Sequence, residues 1–102
     1  MDDSLNRYLE ARKQAVEKRE RLQELVRVAE EILVKLRDHW RDLSIIDSDQ
    51  RATTGEFIRK TDWPNADEIA KALTEWRDAR NQASSVYQSL GEEQRGTVLP
   101  PD

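Results

Sequence analysis

The sequence predicts an all-α protein: a long antiparallel helical hairpin, with helix 1 at about 4–46 and helix 2 at about 65–90, dimerising into a four-helix bundle. Three observations point there. Apolar residues recur at seven-residue spacing along two separate stretches. The stretches are parted by a segment containing Gly55 and Pro64, and no Gly or Pro falls between Met1 and Ala52. The apolar stripes are wider than a single partner helix requires.

Composition agrees with this class. A chain of 102 residues bounds the expectation at one domain. Its hydrophobic share is 36% and its charged share 37%, which suits long amphipathic helices with much solvated surface. Periodic apolar residues and three Trp argue against disorder. The formal charge of -4 bears on solubility more than on function.

Helix 1 carries one unbroken heptad series: Tyr8, Ala15, Leu22, Ala29, Leu36 and Leu43. A second series runs Leu5, Arg12, Arg19, Val26, Leu33 and Trp40. Ser4 is its expected N-cap. The predicted helix has about 43 residues and a length of ~64 Å. From Leu22 onward Leu25 and Ile32 widen the stripe, while Arg12 and Arg19 interrupt it earlier.

Helix 2 begins after Pro64. Asn65 and Glu68 form an N-x-x-E capping arrangement. Asp67 and Glu68 suit the positive end of the helix dipole. Ile69, Leu73, Trp76, Ala83, Tyr87 and Leu90 carry its stripe, with Arg80 in a core-type slot and Gly91 expected just past the end. This helix has about 26 residues and spans ~39 Å.

The organisation expected is one helical-hairpin domain, 1–102, with a connector at 47–64 and an extended or flexible tail at 91–102. Helix 2 is shorter than helix 1. Folded back, it is expected to cover the half nearest the joint, roughly residues 20–46, with Trp76 near Leu36. That leaves residues 1–18 as an overhang for a protein partner. The residues expected to meet a second copy or a partner are Leu5, Tyr8, Leu9, Arg12, Val16, Arg19, Leu25, Ile32 and Arg80. Trp40, Phe57, Trp63 and Trp76 are expected to form an aromatic cluster at the joint. The connector of ~18 residues exceeds the usual 2–8 between helices, so a structured joint is expected.

Chemistry finds little support. The absence of Cys excludes a disulfide framework, a thiolate zinc site and a Cys nucleophile. The acidic start "MDDSLNRYLE" has no apolar core of a secretory signal, and the longest apolar run is far too short to span a membrane. A cytoplasmic location is the expectation. Asp47 and Asp49 resemble the start of a calcium loop, but Arg51, Ala52 and Ile58 stand where a ligand, a glycine and a glutamate belong. His39 is the single histidine, and Glu-x-x-His pairs are missing. No G-x-S-x-G elbow and no glycine-rich phosphate cradle is present. Catalytic residues, metal ligands and cofactors are therefore expected to be none.

Two function classes remain in front of the metal reading at His39. The first is a non-enzymatic protein–protein interaction or assembly module, a homodimer. The alternative is a nucleic-acid-associated helical protein. Arg7, Arg12, Lys13, Lys18, Arg19, Arg21 and Arg27 outnumber the acids among them, Glu10, Glu17, Glu20 and Glu24. Interleaving of the two signs at i, i+3 and i, i+4 favours a solvated helix face instead.

Overall fold

A computed structural model describes residues 3–51 and 55–101. It is mostly helical. The elements are α1 (Asp3–His39), β1 (Ser44–Ile46), β2 (Phe57–Arg59), a 3₁₀ turn (Lys60–Asp62), α2 (Ala66–Ser89) and α3 (Glu92–Arg95). The two long helices, α1 of 37 residues and α2 of 24, pack against each other. The chain divides into two compact units: Met1–Leu22 with Ala70–Asp102, and Gln23–Ile69.

α1 is uninterrupted because nothing in it breaks the backbone ladder, and exposed i, i+3 and i, i+4 pairs support it. Arg27 Nε donates to Glu24 Oε2 at 3.0 Å, and a terminal nitrogen of Arg27 pairs with Glu31. Ser4 already lies inside the helix. The far end departs from expectation: α1 stops at His39, not at 46. The Asp42 N–H closes a turn on the His39 carbonyl at 3.0 Å. Ile45 and Ile46 then go extended, as a β-branched pair prefers.

In the unit Gln23–Ile69, β1 and β2 form a parallel pair with Ser44 opposite Phe57, Ile45 opposite Ile58 and Ile46 opposite Arg59. So the connector is not wholly irregular: a short strand pair is set into a mostly helical hairpin. Ile46 and Ile58 are buried, and so is Ile32 of α1. Phe57, Ile58 and Asp62 line a shallow recess together with Val28, Glu31, Ile32 and Lys35. Lys35 Nζ stands 3.9 Å from Glu56 Oε2. Gly55 has φ +107°, a backbone conformation that suits glycine and sets the entry to β2.

In the unit Met1–Leu22 with Ala70–Asp102, α2 runs antiparallel along the start of α1. The Tyr8 and Tyr87 ring centroids are 5.2 Å apart, and Lys18 Nζ lies 3.7 Å from Glu75 Oε2. Tyr8, Val86 and Leu90 form a buried cluster, packed by Leu5, Ala11, Tyr87 and Val98. Ala15, Ala72 and Ala83 are also buried. Such small side chains let two helix backbones approach closely.

This corrects the expected register. Trp76 was to lie near Leu36, yet its neighbour Glu75 pairs with Lys18. The displacement of about 18 residues is ~27 Å along α1. The physical reason is the connector. Its strands, not α2, cover α1 near Ile32, so α2 takes the earlier stretch and residues 3–18 are no overhang.

Asn65 caps α2: its Oδ1 accepts from the Glu68 N–H at 2.8 Å, and its Nδ2 donates to Glu68 Oε1 at 3.3 Å. Beyond α2, Gly91 has φ -68° and ψ 159°, so it serves as the extended residue before α3, not as a left-handed helix stop. The segment 91–101 contains α3 and is tied to α1. The Tyr8 hydroxyl donates to the Leu99 carbonyl, and Arg12 Nε donates to the Pro100 carbonyl at 3.3 Å.

Candidate functional site

Residues seven apart on a helix share a face. In the unit Gln23–Ile69, Ile32 of α1 is buried, and Leu25, Val28, Ala29 and Leu36 are half-buried. Those residues pack inward. Val26 and Leu33 lie on another side of α1, and Trp40, the first residue after the helix, continues their seven-residue spacing; they are 40%, 56% and 66% exposed. Val34, Ile45 and Trp63 of the same unit are exposed as well. Scattered exposed leucines are ordinary, whereas a row ending in Trp is an apolar surface with shape.

Charges flank that row. Glu30 and Arg37 are exposed, each four residues after a member of it. Arg37 Nε and one terminal nitrogen bond Asp38 at 2.8 and 3.2 Å. That hydrogen bond holds the Asp38 carboxyl below its ordinary range. Arg41 stacks on Trp40, its guanidinium carbon 5.1 Å from the ring centroid.

The residues expected to meet a partner fall into different places. Tyr8 is fully buried, and burial pushes its phenol pKa up while neighbouring Arg12 pulls it down. Leu5 packs on the Tyr8 cluster, and Ile32 is core. Leu25 and Arg19 are half-buried. These five therefore contribute to packing within their own units. Leu9 is exposed and meets Arg12 and Val16 in a shallow recess with Lys13, Glu17 and Glu20. Arg80 is exposed and stands over the Trp76 ring at 5.8 Å.

Nor does the expected aromatic cluster close around Trp40, which is mostly in solvent. Phe57 is half-buried with Arg59 over its ring at 5.6 Å. Trp76 belongs to the unit Met1–Leu22 with Ala70–Asp102, whereas Trp40, Phe57 and Trp63 belong to Gln23–Ile69.

The calcium-like loop has a cation of its own. One terminal nitrogen of Arg59 donates to the carbonyls of Ser48 and Gln50 at 3.1 and 2.7 Å, with the Asp47 carbonyl at 3.4 Å. Lys60 Nζ pairs with Asp47 Oδ1 at 2.9 Å. These oxygens face a guanidinium and an ammonium. Ala52 lies outside the described residues. Among the described residues, no group of three or more His, Cys, Asp or Glu is placed to hold a metal ion. Also among them, no helix is long and apolar enough to cross a membrane.

Sequence reasoning placed Val26, Leu33 and Trp40 in the hairpin seam and so missed their exposure. The available signal was the extra stripe width after Leu22: more apolar faces than one neighbour can cover. Compared with known protein families, with curated proteins and with solved structures, the chain matches none.

Proposed function

We propose that this chain is a non-enzymatic protein–protein interaction module that self-associates through the row Val26, Leu33 and Trp40. The carrying observation is the exposure of Val26 and Leu33 on α1 and of Trp40 immediately after its last residue. Apolar area left in water favours association at roughly 25 cal/mol per Å² buried, before the costs of binding. Trp is enriched among residues that dominate interface energies. A pair of copies joined here is a dimer built through the α1 helices.

Sedimentation velocity across roughly 1–500 μM, the range where weak helical pairs associate, tests the reading. The expected result is a concentration-dependent dimer that Leu33→Glu abolishes while the far-UV circular dichroism is kept. A monomer throughout, or a dimer indifferent to Leu33→Glu, overturns it. Nucleic-acid binding along Arg12, Lys13, Lys18, Arg19 and Arg21 has less behind it, since Arg12 bonds the Pro100 carbonyl and Lys18 pairs with Glu75.

A further inference from the structure

Resting on that proposed interface, we infer that the partner is a second copy of this chain, paired antiparallel about a two-fold axis at Leu33. Size is the first argument. The row is graded in size, from Val26 through Leu33 on α1 to Trp40, the first residue past its end. Antiparallel pairing sets Leu33 against Leu33 of the other copy and each Val26 against a Trp40. Large then meets small at both ends, the condition for filling an interface without voids. A parallel pair sets Trp40 on Trp40 and Val26 on Val26, crowding one end and leaving a gap at the other.

Charge is the second argument. Glu30 and Arg37 lie on one flank of the row and are both exposed. Antiparallel helices bring like flanks together, and the axis at Leu33 places Glu30 of one copy beside Arg37 of the other. By symmetry this happens twice. The two are one residue out of level, ~1.5 Å, which long side chains absorb. The second terminal nitrogen of Arg37 lies outside its pair with Asp38. Parallel helices would instead bring that flank against the Leu25 and Ile32 side, which packs inward and has no complementary charge.

The test exploits charge swaps and a chain without Cys. Glu30→Arg alone and Arg37→Glu alone each face like with like, and each dimer should weaken roughly three- to tenfold. Mixing the two variants should restore wild-type affinity, because every pair is again opposite. A mixture no tighter than either variant alone overturns the pairing. Under mild oxidation Leu33→Cys should cross-link to itself, Val26→Cys should not, and Val26→Cys mixed with Trp40→Cys should. Self-linking of Val26→Cys overturns the antiparallel arrangement while leaving the interface standing. Failure of Leu33→Cys to link, together with a dimer that survives Leu33→Glu, overturns both. Circular dichroism of each variant separates loss of pairing from loss of fold.

Discussion

The two units take opposite routes to burying one helix. In Met1–Leu22 with Ala70–Asp102, α1 meets another long helix and covers itself with Tyr8, Ala15, Ala72, Ala83, Val86 and Leu90. Among its described residues the exposed large apolar ones are Leu9 and Leu99. In Gln23–Ile69, α1 meets two strands of three residues each, and among the described residues the buried ones are Ile32, Ile46, Ile58 and Pro64. There Val26, Leu33, Val34, Trp40, Ile45 and Trp63 stay exposed. A helix covers a wide stripe, whereas a short strand pair covers a narrow one. The apolar surplus marks where cover is thin, and that is where a partner has most to gain.

Tyr8→Ala should cause the largest change. It removes a fully buried ring from the cluster with Val86 and Leu90, along with the hydroxyl that holds the Leu99 carbonyl. A loss of about 3–5 kcal/mol in urea unfolding is expected. Tyr8→Phe keeps the ring and should cost about 1 kcal/mol, the typical net worth of a hydrogen bond. If both variants cost the same, the packing account of this unit fails.

Ile58→Ala comes next, at about 2–4 kcal/mol for a buried aliphatic side chain. Its site distinguishes the units. Amide exchange should accelerate across β1, β2 and residues 23–39 well before it does across residues 70–89. Uniform acceleration would mean that the units do not open separately.

Asn65→Ala is smaller. It deletes the acceptor for the Glu68 N–H at the start of α2, where such caps are worth about 1 kcal/mol. Asn65→Asp should retain most of that stability, because a carboxylate accepts the same bond. Thermal unfolding of the three proteins checks the order.

How much of this was legible beforehand can be argued from particular residues. The heptad series of Tyr8, Ala15 and Leu22, and the Asn65–Glu68 spacing, follow local rules of period and capping, and those rules do not depend on distant chain. Two long helices in a hairpin were therefore readable. Their register was not, because it depends on what the connector does. Ile45 and Ile46 continue a helical pattern as well as they begin a strand, and period alone cannot separate the two over so short a run. Once Ile45 and Ile58 pair as strands, α2 takes an earlier stretch of α1 and every cross-helix neighbour changes. Arg59 was hidden for a similar reason. Its role in the Asp47–Gln50 loop depends on a pairing that brings residues 46 and 59 level. The exposed row is a further consequence of the same displacement.

The smallest expected effect concerns acid, and it falls on the exposed side of the unit Gln23–Ile69. Glu24 has its pKa lowered, chiefly by the hydrogen bond from Arg27, which also pairs with Glu31. A carboxyl whose folded value lies below its unfolded value binds its proton more readily when unfolded. Its contribution is thus present above the unfolded pKa and is lost as pH falls through the folded one. The unfolded reference is about 4.3, so the loss should begin near there and continue below it. Glu24→Gln removes the titrating group and should flatten that part of the stability–pH curve, with little change at neutral pH. Both partners lie in solvent, so high salt should shrink the difference between variant and parent. A slope unchanged by Glu24→Gln would assign the acid sensitivity elsewhere, with Asp38, lowered by its bond to Arg37, as the next group to replace.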